Sequence, residues 1–156
     1  MNPSSRQRGV TLLEMLMVMT IIGVIAAISF PSVTSGLETL RLRSATDSIV
    51  SFLNSGMNRA ERRNEPVEVT IQRTANALVL RSAQPGFEHR LELPQGVRIT
   101  RILPENPALE NEQWRAYLLY PGGTVPRFGV EIINSRGARR IVRVDPITGV
   151  PQVETP

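Results

Sequence analysis

Side chains that usually carry catalysis or bind metals are scarce in this sequence. The 156 residues include no cysteine and a single histidine, His89. Thiol catalysis, thiolate zinc sites and multi-histidine metal centres are therefore excluded. His89 lies between Glu88 and Arg90 in "FEHRLEL", where polar and apolar residues alternate as in a strand. No nucleophile-elbow motif and no phosphate-binding glycine loop is present, so the sequence predicts no enzyme and no cofactor.

A polar segment at residues 104–113, "PENPALENEQ", contains the acids that could bind a cation. Its three carboxylates, Glu105, Glu110 and Glu112, lack the dense alternation of Asp and Asn that is typical of calcium-binding loops. We interpret the segment as an exposed loop. The sequence alone leaves calcium binding undecided.

The eighteen basic residues are all arginine, and with fourteen acids they give a formal net charge of +4. A basic chain can bind nucleic acid by releasing counterions from the phosphates. The candidates for a phosphate-binding stripe are Arg136, Arg139, Arg140 and Arg143. However, strand alternation sends Arg139 and Arg143 to one face and Arg140 to the other. The sequence therefore favours a mixed-charge surface, and we expect any DNA affinity to be weak and salt-dependent.

One carboxylate, Glu14, interrupts an apolar run at residues 10–30, "VTLLEMLMVMTIIGVIAAISF". As a helix, this run would be about 31 Å long, which matches the hydrocarbon core of a bilayer. An acid in such a helix is costly and is a functional-site candidate that needs a partner. A cut after Gly9 would give Val10 a free ammonium, four residues before Glu14 on the same helix face. The pair could form within one chain or between neighbours; alternatively, the acid simply lies in the headgroup zone.

The N-terminal segment "RGVTLLEMLMVMTIIGVIAAISFP" resembles the class III signal of type IV pilins and type II secretion pseudopilins. That signal has a short basic leader that ends in Gly, a Thr-Leu-x-Glu segment and about twenty apolar residues. The matching positions here are Gly9, Thr11, Leu12, Glu14, Gly23 and Pro31. Val10 departs from the pattern, because most members have Phe or Met at that position.

The resemblance implies a maturation and assembly mechanism. A prepilin peptidase would cut between Gly9 and Val10 at the cytoplasmic face and methylate the new amine of Val10. Glu14 would then pair with the N-terminal ammonium of a neighbouring subunit, and the helix would bend near Gly23 and Pro31. The implied partners are other major and minor pseudopilins, the peptidase, an inner-membrane assembly platform and membrane lipid.

The rest of the sequence indicates an α+β fold, and the resemblance implies that this fold is type IV pilin-like. Residues 31–63 have an amphipathic stripe typical of a stalk helix, with apolar positions Val33, Leu37, Leu40, Ile49, Leu53, Met57 and Ala60. Residues 64–156 alternate with a period of two in seven short segments, which predicts an antiparallel β head of two small sheets. The predicted order is a leader at 1–9, a transmembrane helix at 10–30, the stalk at 31–63 and a periplasmic head at 64–156.

The C-terminal segment, which begins "YPGGTVPRFGVEII", is similar to the end of minor pseudopilins of the H class, with turns at residues 120–123 and 146–149. This resemblance implies a structural subunit near the tip of a type II secretion pseudopilus, inserted in the inner membrane by a single helix. The alternatives are a minor pilin of a type IV pilus, used for adhesion, assembly or DNA uptake, and a tethered domain with no filament. The DNA-binding minor pilins have a Gly-Arg-x-Arg segment near the C-terminus, and the matching residues here are "GVPQ".

Overall fold

A computed structural model describes residues 10–82, 86–106, 112–122 and 125–155, except for the side chains of residues 30–35. These residues form one helix followed by eight strands: α1 (Leu12–Arg63), β1 (Val67–Gln72), β2 (Ala77–Ser82), β3 (Glu88–Glu92), β4 (Val97–Leu103), β5 (Trp114–Leu119), β6 (Gly129–Asn134), β7 (Arg139–Val144) and β8 (Pro151–Glu154). The chain divides into two compact units, one ending at Leu37 and the other beginning at Glu38. The predicted fold class, a long helix before two antiparallel sheets, is confirmed.

Both ends of α1 are capped by local sequence. At its start, the Thr11 hydroxyl accepts a hydrogen bond from the Glu14 amide at 3.2 Å, as an N-cap residue does. At its end, Asn64 adopts a left-handed conformation with φ of 49°, and the Glu65 amide donates to the Ala60 carbonyl at 3.3 Å. This is a Schellman arrangement, which satisfies carbonyls that the last helical turn leaves free. Pro66 follows at once and cannot continue the helix.

In the first unit, α1 exposes apolar side chains on every side. Leu12–Ser29 is long and apolar enough to cross a membrane, and none of it is buried within the chain. The Thr20 hydroxyl, the polar group in the middle of this stretch, donates to the Leu16 carbonyl at 2.7 Å and so needs no water. A helix that is apolar all round is stable only when lipid or other helices cover it.

In the second unit, α1 is amphipathic and packs one stripe into the core. The buried helical residues recur at three- and four-residue steps: Leu42, Ala45, Thr46, Ile49, Phe52, Leu53 and Ala60. The predicted stripe was wrong at its start, because Leu37 and Leu40 are 48% and 62% exposed. The helix first meets the core at Leu42, beyond those two positions.

The strands of the second unit form two four-stranded antiparallel sheets. Sheet A has the order β3-β2-β1-β5, and sheet B has the order β4-β6-β7-β8. The chain therefore leaves sheet A for β4, returns to it for β5, and then completes sheet B. The prediction of seven strands missed β8, which pairs with β7 from Val144↔Pro151 to Ile141↔Glu154. Its short "PQVE" carries little apolar alternation, so pairing with β7 decides its conformation.

One core joins the helix to both sheets. Sheet A contributes β1 and β2 side chains such as Ile71 and Leu80, and sheet B contributes Ile132 and Val142, all with 0% exposure. The Tyr117 ring of β5 stacks on the Phe128 ring before β6, with centroids 4.4 Å apart. Burial of these side chains is the main stabilising contribution to the head.

Asn76, in the turn between β1 and β2, connects sheet A to sheet B. Its side-chain amide donates to the Val97 carbonyl at 2.8 Å and accepts from the Ile99 amide at 2.9 Å. Its φ of 50° is left-handed, a conformation that Asn and Gly tolerate best. Both hydrogen bonds depend on one short side chain.

We expect Asn76→Gly to lower the free energy of unfolding by about 2 kcal/mol, because the turn geometry survives while two partly buried backbone groups lose their partner. The measurement is urea unfolding of the full-length chain in detergent. The matched control is Asn64→Gly: Asn64 also has a left-handed φ, of 49°, and no side-chain hydrogen bond is recorded for it within the described residues. Equal unfolding midpoints for the two variants would contradict the bridging role of Asn76.

Gly129 lies where β6 and β7 approach too closely for a side chain. A Cβ at this position would lie 2.8 Å from the Val142 carbonyl oxygen and 3.2 Å from the Arg143 Cα, both backbone atoms. We expect Gly129→Ala to destabilise the head by roughly 1–3 kcal/mol, because the paired strands must shift. Urea unfolding measures the effect. Gly36→Ala is the control, since no heavy atom lies within 4 Å of its added Cβ; an unchanged midpoint for Gly129→Ala would refute the clash.

Candidate assembly site at the helix N-terminus

The first turn of α1 places Thr11 and Glu14 together. Besides the contact from the Glu14 amide to the Thr11 hydroxyl, the Met15 amide donates to the Thr11 carbonyl at 3.2 Å. Thr-x-x-Glu is the spacing of a capping box, in which the Thr side chain caps the N3 amide. In the sequence, Thr11 was only a landmark of the resemblance, although the Thr-x-x-Glu spacing is itself a signal for the start of a helix. Thr11 therefore determines where the helix begins, three residues before Glu14.

Glu14 is exposed in the first turn, and no ion pair to it is recorded within the described residues. The next cation along the described chain is Arg41. The positive end of the helix dipole favours an acid at this position, but this effect is worth only a fraction of a kcal/mol to about 1 kcal/mol. The exposed Glu14 carboxylate can therefore form an ion pair with a cation that lies outside the described residues.

The remaining predicted site residues are placed as follows. Val10 precedes the helix and is exposed, and Gly23 lies within α1 with no heavy atom within 4 Å of an added Cβ. Gly9 lies outside the described residues, as does the side chain of Pro31. The cleavage at Gly9, the methylation of Val10 and a bend near Gly23 and Pro31 all stay predictions.

In the head, ion pairs engage most of the arginines proposed for a phosphate stripe. Arg139 lies 3.9 Å from the buried Glu131 carboxylate, Arg143 lies 3.6 Å from Glu154, and Arg136 lies 3.1 Å from Glu38. The side chain of Glu131 also lies 3.5 Å from Arg101 and accepts from the Thr100 hydroxyl at 3.0 Å. These carboxylates partly neutralise the surface of sheet B and leave fewer free cations for phosphate.

The described acids of the predicted loop are also paired with arginines. Arg101 contacts Glu105 at 2.8 Å, and Arg115 forms a bidentate contact with Glu112. Arg115 also donates to the Tyr117 hydroxyl at 3.1 Å, and Tyr117 donates to the Leu103 carbonyl at 3.0 Å. Burial raises the pKa of Tyr117 above its ordinary value, although the hydrogen bond from Arg115 opposes the shift. Glu110 lies outside the described residues, and the described part of the chain contains no cluster of three potential metal ligands.

His89 lies on β3, an edge strand among the described residues, and is exposed. Its ring contacts the Phe52 ring of α1 at a centroid distance of 5.2 Å. No acid–base or ion-pair partner of His89 is recorded within the described residues. It therefore has the surroundings of a surface strand residue.

Two features of the chain define a class of protein. Residues 4–30 match the family model described as the prokaryotic N-terminal methylation motif. The described residues show an unburied apolar helix in one unit and, in the other, an amphipathic helix packed on two antiparallel sheets. The chain therefore combines an N-terminal methylation motif of the prepilin type with a helix that precedes two antiparallel sheets.

Among solved structures, the fold is similar to that of the minor pseudopilin EpsH from the Type 2 Secretion System of Vibrio cholerae. The TM-score is 0.56 and the sequence identity is 14%; the likeness covers 74% of this chain and 98% of the EpsH chain. No curated protein sequence matches the chain.

Proposed function

We propose that this chain is a minor pseudopilin of the H class, a structural subunit at or near the tip of a type II secretion pseudopilus. The methylation motif supports this proposal, because it includes the helical stretch Leu12–Ser29, which is apolar on all sides and needs other helices or lipid around it. The pilin-like head and its likeness to EpsH are a second support. The subunit would assist protein export across the outer membrane mechanically, without catalysis.

In this proposal, residues 1–9 are a leader that the prepilin peptidase removes, and Val10 is then N-methylated. Residues 10–30 hold the subunit in the inner membrane, residues 31–63 form the stalk, and residues 64–156 form a periplasmic head. The Glu14 carboxylate of one subunit meets the Val10 ammonium of its neighbour. Exclusion of water by lipid and packed helices strengthens this attraction, because the effective dielectric constant falls.

The first test is mass spectrometry of the protein from its native host. We expect a mature chain that begins at Val10 and carries one added methyl group on its amine. A mature protein that retains residues 1–9 while the organelle functions would contradict the proposal.

The second test identifies the kind of filament. A strain without this gene is compared with its parent for protein export to the medium, for twitching motility and for uptake of DNA. We expect a loss of export with motility and DNA uptake unchanged. Loss of motility or uptake with normal export would contradict a role in secretion.

A further inference from the structure

Among the described residues, strand β5 forms an edge of sheet A, and its outward face is apolar. Trp114, Ala116 and Leu118 alternate on this face, and Trp114 and Leu118 are 63% and 44% exposed. The inward face is held by contacts within the head: Tyr117 stacks on Phe128, and Leu119 is buried. Within the described residues, β5 is therefore packed on its inward face and exposed on its outward face.

The other three edges of the two sheets, among the described residues, carry features that discourage strand pairing. The outward side chains of β3 are Glu88, Arg90 and Glu92; β4 has a bulge near Thr100; and β8 begins with Pro151. Charges, bulges and prolines are the usual means by which proteins protect a sheet edge. On β5 the one charged side chain, Arg115, is on the inward face and is paired with Glu112.

The pairing of β5 with β1 determines which backbone groups of β5 point toward the edge of the sheet, where an added strand would bind. The Arg73 amide donates to the Gln113 carbonyl at 2.7 Å, and the β1–β5 register continues this pairing as Ile71↔Arg115 and Val69↔Tyr117. In an antiparallel pair, hydrogen-bonded and non-hydrogen-bonded residue pairs alternate. The N–H and C=O groups of the intervening residues, Trp114, Ala116 and Leu118, therefore point away from β1, toward the free edge.

We propose that the outward edge of β5 pairs with an edge strand from the head of a different pilin-type subunit, one with uncharged apolar side chains at alternate positions. This inference rests on the proposed function. The N–H and C=O groups that no described residue pairs with define the hydrogen bonds, and the strip of Trp114, Ala116 and Leu118 defines the side-chain chemistry.

The size of the strip is consistent with a partner in the same assembly. Three side chains provide far less than the roughly 800 Å² per partner of a stable protein interface. Such a contact becomes populated when both partners are held close together, because tethering raises the effective concentration into the millimolar range. A second subunit that carries its own apolar helix would be tethered in this way.

The test is photocrosslinking of the full-length chain in its native host. A photoreactive phenylalanine derivative replaces Leu118 in one strain and Arg90, on the charged β3 edge of the same sheet, in another. We expect the Leu118 position to give an adduct with another chain that has its own N-terminal methylation motif, joined through a strand residue of its head, at about tenfold the yield of the Arg90 position.

Ala116→Pro, combined with the photoreactive residue at position 118, tests the hydrogen bonds directly. Proline removes an N–H that faces away from β1, so the edge strand should tolerate it while the added strand loses a donor. We expect the adduct to fall about tenfold, while Ala116→Thr, which keeps the N–H and favours a strand, retains it. Equal abundance and protease resistance of the two variants excludes misfolding.

Three results would overturn the inference: equal adduct yields at positions 118 and 90, an adduct mainly with a second copy of this chain, or an adduct that Ala116→Pro leaves unchanged. Cleavage before Val10 and incorporation into the filament are measured in the same cells. A chain that matures and assembles but gives no β5 adduct refutes only the edge contact. A chain that never assembles refutes the proposed function, and the edge contact with it.

Discussion

Glu14→Ala is expected to leave the chain in the membrane and to exclude it from the filament. The substitution replaces a polar group in an apolar helix, so membrane insertion becomes easier. The neighbour's Val10 ammonium would then be left buried without a partner, which typically costs 3–5 kcal/mol. At equilibrium this corresponds to a loss of incorporation on the order of a hundredfold or more. The measurement is the ratio of filament to membrane-bound protein after shearing and fractionation.

Glu14→Gln separates the two roles that the structure allows for this residue. Glutamine occupies the third position of a capping box as well as glutamate does, so the start of the helix below Thr11 is preserved. Only the charge is lost. If the ion pair drives assembly, Gln should be nearly as defective as Ala. Normal incorporation of the Gln variant would assign Glu14 to helix capping and refute the pairing with Val10.

Gly9→Leu is expected to block maturation completely. In the proposed maturation the peptidase cuts after this glycine, and a bulky side chain there should prevent the peptidase from acting. Residues 1–9 would remain attached, Val10 would have no free ammonium, and Glu14 of the adjacent subunit would lose its partner. We expect a larger protein on gels, anchored in the membrane and absent from filaments.

Gly23→Leu is the matched control for cleavage, because it introduces the same side chain further along the same apolar segment. An added Cβ at Gly23 meets no heavy atom within 4 Å, so this variant should be cut normally.

Local features of the sequence were sufficient to predict the helix and most of the strands. The apolar run before Phe30 and the three- and four-residue steps around Ile49 and Leu53 predicted α1, because helical periodicity is a property of neighbouring residues. Period-two alternation predicted seven strands for the same reason. β8 was missed because its four residues, Pro151–Glu154, lack that pattern and depend on β7 for their hydrogen bonds.

The candidate assembly site was also predicted from local sequence. Gly9, Val10 and Glu14 belong to one contiguous motif, so their spacing needed no fold to bring them together. The extent of the buried stripe could not be predicted in this way. Leu37 and Leu40 have the correct spacing, yet both are exposed, because burial depends on where the sheets begin to cover the helix.

The sequence by itself determined the kinds of element in this protein: an apolar helix with one acid near its start, and an amphipathic helix followed by an alternating β-rich segment. Only the tertiary structure decided that β4 joins sheet B while β5 returns to sheet A, that Asn76 joins the two sheets, and that β5 lies at an edge of sheet A among the described residues. The physical reason is the range of the interactions. Helical periodicity and capping act between residues a few positions apart, whereas strand pairing and edge exposure depend on contacts between residues distant in the chain.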